Sequence, residues 1–263
     1  MELSAPRTSL QVSLSVWRAL FMREALARLS AGRAGWLWLL LEPVAHVGFM
    51  MVVFSVVLQS RIPGADFALF LAVGVLGFKF FMYAGQRSAV ALSANRGLLG
   101  YRQVRPVDTV LVRAVLEGLI NLFVLLVLLA VAALVGLDVL PHDPLMALAA
   151  YALLWLLGTG FGLIVSVANS LVPEIEKIMG LVSAPLYFAS GVFFSPAMLP
   201  PTAQSFLLYN PILHGLELAR AAFFPGYHLI EGISAGYLVA FALAFVLLGL
   251  ALHRRFEAKL SSQ

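Results

Sequence analysis

The chain has 263 residues, of which 62% are hydrophobic and only 11% are charged. Soluble domains usually carry about a quarter charged residues, so this composition excludes an ordinary soluble domain and indicates a polytopic membrane protein. Cysteine is absent, which excludes disulfides, thiolate metal sites and cysteine catalysis. The net charge of +4 would by itself permit a nucleic-acid partner, but the basic residues concentrate in the segments that separate or flank the apolar runs.

The N-terminal arm, residues 1–35, mixes basic and apolar residues and has no uninterrupted apolar core or small-residue cleavage site. It is therefore unlike a secretory signal. From Val12 to Leu29 the apolar residues recur at helical spacing, with Val16 and Leu20 on one side and Arg23 elsewhere. This pattern predicts an amphipathic helix at the membrane interface, in contact with lipids; a surface helix packed on its own protein also fits, and the two do not exclude each other.

Six apolar segments have the length and composition of membrane-spanning helices, which need about 20 residues each. They are Trp36–Leu58, Phe67–Gln86, Ala114–Leu137, Leu145–Ala168, Ile178–Phe194 and Ile230–Leu252. The predicted fold is thus an all-α polytopic membrane protein, with a six-span domain over residues 36–252 and a cytosolic tail at 253–263. An even number of spans puts both termini on one side of the membrane.

The basic residues decide which side that is. Fourteen of the seventeen lysines and arginines lie on one face: five in the arm, five between spans two and three, one between spans four and five, and three in the tail. The positive-inside rule places this face in the cytoplasm. We therefore expect a multi-pass protein of the bacterial inner (cytoplasmic) membrane with both termini cytosolic, and no nucleic-acid partner.

One basic segment, ANRGLLGYRQVRPVDTV, separates two predicted spans from Ala94 to Val110. Its arginines, together with Gly97, Gly100 and Pro106, cannot lie in lipid, because the charges and the broken backbone would be unsatisfied there. The segment mixes apolar residues with arginines, which favours contact with a protein. We predict that residues 87–113 form a cytosolic surface bound by a motor protein; an ordinary positive-inside loop is the alternative.

A second irregular segment covers residues 195–229. Five prolines divide it into short pieces, yet part of it is strongly apolar. Irregular backbone at membrane depth is tolerated only where it is buried in protein or lines water. We expect one or two short helices that re-enter the membrane from the outer face, between spans five and six.

A family resemblance covers nearly the whole chain in order, and four stretches carry it. They are GRAGWLWLLLEPVAH at Gly32–His46, ANRGLLGYRQVRPVDTVLVRAVLE at Ala94–Glu117, YFASGVFFSPAMLPP at Tyr187–Pro201 and NPILHGLELARAAFFPGYH at Asn210–His228. The chain resembles the membrane subunits of ABC-2 type transporters, and among them most closely the capsular polysaccharide export permeases of Gram-negative bacteria.

The resemblance implies a homodimer of this permease with two copies of a cytosolic ABC ATPase and a periplasmic polysaccharide co-polymerase. The substrate would be a lipid-linked acidic capsular polysaccharide. This chain has no P-loop, so ATP and Mg would bind the ATPase, and no cofactor, catalytic residue or metal is expected here. Alternatives are a permease for O-antigen or teichoic acid and, from another class, an ion-driven secondary transporter, although few ionisable residues lie in the spans and no inverted repeat is evident.

Contact with the ATPase is assigned, largely from the resemblance, to residues of the arm and of the basic segment. These coupling candidates are Arg23, Arg28, Asn95, Arg96, Tyr101, Arg102, Arg105 and Asp108. For the two arm residues, simple anchoring at the interface is the alternative.

The substrate path is assigned to one charged residue and several aromatic ones. The path candidates are Trp38, Lys79, Tyr83, Tyr187, Phe193 and Phe194. A charge at membrane depth usually faces an aqueous path or a partner, so Lys79 could meet an acidic glycan, pair with Glu117 or snorkel to the interface. The aromatic residues could form a surface for sugar rings or an ordinary interface belt. Glu42 and His46, four residues apart, are expected to hydrogen-bond to each other.

The outer-gate candidates are His214, Glu217 and Arg220. Their spacing of three predicts a network on a helix surface; a metal or acid–base site is disfavoured because no third ligand is evident. Gly158, Gly160 and Gly162 have the wrong spacing for a dinucleotide motif, and we interpret them as sites of close helix packing.

Overall fold

The structure is a computed structural model and describes residues 8–29, 35–53, 66–101 and 103–261. All regular structure in these ranges is helical. The helices are α1 (Ser9–Leu29), α2 (Gly35–Met51), α3 (Phe67–Ala89), α4 (Ala91–Ala94), α5 (Arg96–Leu99), α6 (Pro106–Leu134), α7 (Pro144–Leu171), α8 (Ile175–Ala189), α9 (Pro201–Leu207), α10 (Pro211–Phe223) and α11 (Ala235–Ser261), with a 3₁₀ turn at Pro196–Met198.

Four of the described helices are long and apolar enough to cross a membrane, namely α3, α6, α7 and α11. The helices at predicted spans one and five are shorter, with 17 residues in α2 and 15 in α8. At the α-helical rise α8 is about 22 Å long, less than the hydrocarbon core of about 30 Å; α2 is about 26 Å long as described, and residues 54–65 beyond it lie outside the described ranges. The structure therefore confirms an all-helical protein with several candidate spans.

Several helices begin or end at residues other than the ends of the predicted spans, because prolines, glycines and capping hydrogen bonds determine where a helix starts and stops. Helix α6 begins at Pro106, eight residues before the predicted third span, because proline suits the first helical turn and Asp108 accepts a hydrogen bond from the Arg105 backbone N–H at 3.3 Å. Helix α8 ends at Ala189 rather than Phe194, just before Gly191 turns the chain with φ +68°. Helix α11 continues to Ser261, so the predicted tail is largely helical.

Helix α7 is the centre of the packing, between α3 and α11. Its glycines allow both neighbours to approach closely. A Cβ on Gly158 would lie 2.2 Å from the Phe81 carbonyl oxygen of α3, and one on Gly160 would lie 2.6 Å from the Val246 backbone nitrogen of α11. The interpretation of these glycines as sites of close helix packing is confirmed.

The region predicted to re-enter the membrane contains two short helices, α9 and α10. Helix α10 is mostly buried and packs against α3 and α7. Asn210 is the N-terminal capping residue of this helix. Its side-chain oxygen accepts a hydrogen bond from the Ile212 N–H at 3.0 Å, and its side-chain nitrogen donates one to the Ala189 carbonyl at 3.2 Å. The cap thus holds the start of α10 beside the end of α8.

Candidate coupling surface and translocation path

The basic segment folds as two single-turn helices, α4 and α5, followed by the start of α6. Leu99 is buried with Leu163 and Leu260, which fixes the segment to α7 and α11. Arg96, Tyr101 and Arg105 are exposed, and Tyr101 shows 65% of its surface. Large exposed aromatic and arginine side chains are common in protein interfaces. Arg102 lies outside the described residues.

The other two coupling candidates of this segment face α1. Asp108 accepts a hydrogen bond from the Trp17 indole N–H at 2.9 Å. Asn95 is buried and donates to the Glu24 carboxylate at 3.1 Å. Asn95 and Asp108 therefore fasten the N-terminal helix to the segment.

A buried ion pair reinforces the attachment of α1. Both carboxylate oxygens of Glu24 accept hydrogen bonds from the Arg113 guanidinium of α6, at 2.8 to 3.1 Å. Glu24 is 7% exposed. A two-pronged arginine–carboxylate contact fixes orientation as well as distance, so α1 is held in one position along α6.

Glu117, one helical turn further along α6, is fully buried and binds two arginines. One is Arg28 of α1, a coupling candidate, and the other is Arg87 of α3, at 3.1 Å. Arg28 is thus engaged within the chain and its side chain is 33% exposed. Arg23 remains more open: its side chain is 44% exposed, and it donates to the Ala94 carbonyl at 3.3 Å.

Helix α1 differs from a simple amphipathic helix. Leu20 is buried, and so is the charged Glu24, while Leu10, Leu14 and Met22 are exposed. Apolar residues therefore lie on both sides of the helix. One side packs on α6, which agrees with a surface helix packed on its own protein, and contact of the other side with lipid stays a prediction.

Lys79 has a definite partner on α2. Its Nζ lies 2.9 Å from a Glu42 carboxylate oxygen and 3.1 Å from the Tyr83 hydroxyl. The Tyr83 hydroxyl donates to that same carboxylate oxygen, and the Arg87 guanidinium stacks 4.2 Å above the Tyr83 ring. The alternative of a Lys79–Glu117 pair is wrong, because Glu117 is taken by the two arginines.

Two of the aromatic path candidates, Tyr187 and Phe193, meet at the end of α8. The Tyr187 hydroxyl lies 2.8 Å from His46 Nε2, so Glu42 and His46 each bind another helix rather than each other. The Tyr187 ring packs edge-on against Phe78 at 4.7 Å and Phe193 at 4.8 Å. Trp38 shows 64% of its surface, Phe194 is partly buried and Phe193 only 3% exposed, so Phe193 supports Tyr187 from behind.

The outer-gate candidates divide into two groups. Glu217 and Arg220 are both fully buried, with 2.9 Å between their charged groups; the prediction of a surface network is therefore wrong. Arg220 also donates to the Val192 carbonyl at 2.7 Å and lies 3.7 Å over the Phe70 ring. Buried charges need partners, and the partners of Arg220 tie α10 to α3 and to the loop after α8.

Tyr227 completes this buried pair. Its hydroxyl donates to the Glu217 carboxylate at 2.9 to 3.0 Å. Burial and the nearby Glu217 carboxylate raise the pKa of Tyr227, so the phenol keeps its proton. His214 is separate: its Nε2 lies 2.8 Å from the Leu208 carbonyl, and its Nδ1 accepts from the Ser234 N–H at 3.0 Å. It joins α10 to the turns on either side.

Comparison with known proteins agrees with the sequence resemblance. The profile of the ABC-2 type transporter family matches residues 15–224. This chain belongs to the ABC-2 type transporter family. The polysialic acid transport protein KpsM of Escherichia coli is 37% identical to it over 97% of this chain and 99% of its own length. The capsule polysaccharide export inner-membrane protein BexB of Haemophilus influenzae is 30% identical over 98% of this chain and 97% of its own length.

A further relative is less similar. The O-antigen export system permease RfbA of Klebsiella pneumoniae is 24% identical over 85% of both chains. Membership of the ABC-2 family places this protein among transport subunits rather than enzymes. It also removes the ion-driven secondary transporter that the sequence left open.

Sequence reasoning on this ABC-2 chain missed the residues that complete each network. Glu24 and Arg113 bind each other across 89 positions, and Tyr227 reaches Glu217. Charged residues inside apolar stretches are a signal that some partner exists. The identity of the partner is not encoded in local spacing, so only the packed structure reveals it.

Proposed function

We propose that this chain is the membrane-spanning permease subunit of an ATP-driven exporter that moves lipid-linked capsular polysaccharide across the inner membrane. One observation carries the proposal: relatives that span the whole chain at 37% and 30% identity are named as polysialic acid and capsule polysaccharide export proteins. Export of another glycolipid is the second candidate, favoured by the 24% identity to an O-antigen export permease.

The proposed assembly is a homodimer of this chain with two cytosolic ABC ATPases, which bind ATP and Mg, and with a periplasmic co-polymerase. The absence of a P-loop from the sequence supports a separate ATPase. The lipid-linked acidic glycan would pass between the two permease copies.

The proposed topology has six spans, with α2 and α8 as spans one and five and both termini in the cytoplasm. Exposed apolar side chains on these two short helices support their place in the membrane: Phe49 is 63% and Leu181 78% exposed. Helices α9 and α10 would lie at the outer face, where the buried Glu217–Arg220 pair and His214 would stabilise the outer gate.

Coupling would proceed through the outward-facing arginines and tyrosine of the basic segment. We assign Arg96, Tyr101 and Arg105 to direct contact with the ATPase, together with Arg102. Asn95 and Asp108 would transmit movement of the segment to α1, and Arg23 and Arg28 would act from α1 itself. The hydrogen bonds from Asn95 to Glu24 and from Trp17 to Asp108 support this transmission.

The glycan path would follow α2, α3 and the end of α8. Trp38, Tyr83 and Tyr187 would offer rings to the apolar faces of sugars, with Phe193 and Phe194 behind them and Lys79 within reach of acidic groups. The convergence of the Tyr187 and Tyr83 side chains with residues of α2 supports this path.

The test is ATP hydrolysis in liposomes that contain the chain and its ATPase, with and without lipid-linked capsule glycan. We expect the glycan to stimulate hydrolysis, and Arg105→Glu to abolish stimulation while the ATPase stays bound. Arg255→Glu, an exposed arginine on α11, is the matched control.

Three results would contradict parts of this proposal. Normal export by Arg105→Glu would remove the coupling assignment. Stimulation by an O-antigen glycolipid but not by capsule glycan would favour the second candidate. Failure of the chain and the ATPase to associate would remove the proposed assembly.

A further inference from the structure

Two side chains of α3 bind one carboxylate of α2, and a third stacks on one of them. Lys79 Nζ lies 2.9 Å from Glu42 Oε1, and the Tyr83 hydroxyl donates to the same oxygen. The Arg87 guanidinium stacks on the Tyr83 ring at 4.2 Å. Lys79, Tyr83 and Arg87 are spaced four residues apart on α3, so they form a continuous row along one side of that helix. This row has the chemistry of a site for a carboxylate or a phosphate.

The two sides of this contact differ in burial. The Lys79 side chain is only 9% exposed, whereas the Glu42 side chain is 43% exposed. Lys79 is therefore held in the interior of the fold, whereas Tyr83 and Arg87 are half-buried, and the carboxylate approaches Lys79 from the accessible side. An anion that reached this side would meet Glu42 first and the row behind it.

The position of Glu42 in α2 allows it to move. Pro43 follows it within the helix, and an internal proline removes one backbone hydrogen bond and weakens the turn before it. Helix α2 also has much less contact with the rest of the fold than α3 or α7. Glu42 can thus leave Lys79 through a change in α2 alone.

Departure of Glu42 would leave an unbalanced charge. Arg87 keeps a partner, because it also binds the fully buried Glu117 at 3.1 Å. Lys79 would lose its carboxylate, and an unpaired, buried ammonium group is strongly unfavourable. An anion that replaced Glu42 as it left would keep the charge of Lys79 paired.

We propose that Lys79, Tyr83 and Arg87 form a binding site for an anionic group of the transported glycolipid, which Glu42 occupies as an internal competitor in this conformation. The group is either a sugar carboxylate or a phosphate of the lipid linker. Exchange of one anion for another keeps Lys79 paired throughout, so acidic groups can pass the site without being trapped. This inference rests on the proposed function for the identity of the ligand.

The site itself is tested by thermal stabilisation of the purified permease–ATPase complex with glucuronate or with glycerol phosphate. Glu42→Gln removes the competing charge, so we expect at least one of these anions to stabilise this variant far more than the wild type. Adding Lys79→Gln should abolish the effect. Glu231→Gln, an exposed carboxylate of the outer loop, is the matched control and should behave as the wild type.

The two probes separate the two sources of the anion. Stabilisation by glucuronate alone identifies the sugar carboxylate, and stabilisation by glycerol phosphate alone identifies the linker. If neither anion stabilises Glu42→Gln beyond the wild type, the proposed site is refuted and the Glu42–Lys79 pair is only a tether between α2 and α3.

Titration of ATP hydrolysis with lipid-linked acidic glycan then tests its role in transport. We expect the half-maximal glycan concentration to fall about fivefold in Glu42→Gln, since removal of an internal competitor raises the fraction of sites that are free. An unchanged value would refute the role of Glu42, even though stimulation of the wild type would still support the proposed function. Anion binding by Glu42→Gln without any glycan stimulation would instead uphold the site and refute the proposed function.

Discussion

The attachment of α1 to the membrane helices depends on Glu117, and Glu117→Gln tests it directly. Glutamine keeps the size of the side chain but removes the charge that Arg28 and Arg87 share. Glu117 is 0% exposed, while the side chains of these arginines are 33% and 25% exposed. The substitution therefore leaves two cations that are partly accessible to water, beside an amide that can still accept one hydrogen bond.

The expected loss of stability follows from how much of the two arginine side chains is exposed to water. Removing one partner of a fully buried ion pair costs about 3–5 kcal/mol. Because both arginines keep part of their solvent contact, we expect a loss of about 2 kcal/mol, below that range. For a chain of this size such a loss lowers the melting temperature by roughly 5 °C.

The assay is thermal unfolding of the purified complex, followed by tryptophan fluorescence, together with trypsin cleavage at the arginines of α1. We expect Glu117→Gln to melt earlier and to release α1 to trypsin, since Arg28 loses its anchor. Glu257→Gln, an exposed carboxylate on α11, is the control. A melting temperature within about 1 °C of the wild type, with unchanged cleavage, would refute the claim that this carboxylate anchors α1.

Three further substitutions test other contacts by the same unfolding measurement. Gly158→Ala should lower the free energy of unfolding by about 3 kcal/mol, because its Cβ would overlap the α3 backbone. Gly180→Ala, with open space around it, should leave that free energy unchanged. Equal effects of the two substitutions would contradict the packing argument. Arg220→Gln should lower the free energy of unfolding by about 4 kcal/mol, since it leaves a fully buried carboxylate without its cation. A variant as stable as the wild type would show that the pair is dispensable. Trp17→Phe removes the hydrogen bond to Asp108 and should lower the free energy of unfolding by about 1 kcal/mol. The same substitution should have no effect on stability in an Asp108→Ala background.

Properties that are sums over many residues, such as hydropathy and charge, could be predicted from the sequence. The membrane class follows from composition, and the helical class from long apolar runs. The exposed face of the basic segment was also predictable: Arg96 and Arg105 are exposed, because charged groups near broken backbone require water or a partner. Family membership followed from motifs spread over most of the chain.

Helix ends were predictable only in part. Hydropathy marks where a chain becomes apolar, not where its backbone stops being helical. Helix α6 therefore starts in a polar stretch at Pro106, and α8 stops inside an apolar one, before Gly191. Proline preference for the first turn could have indicated the first of these boundaries. The second lies beside Gly191, and the Val192 carbonyl that follows is bound by Arg220 from another helix.

The sequence by itself determined which residues need partners, because a charge within an apolar run cannot remain unpaired at membrane depth. Only the tertiary structure decided which partner each one has. Lys79 pairs with Glu42 rather than Glu117, and Glu117 pairs with Arg28, 89 positions away. Helical spacing gives the direction of a side chain from its own helix, whereas the charge it meets depends on which helix packs there and at what height.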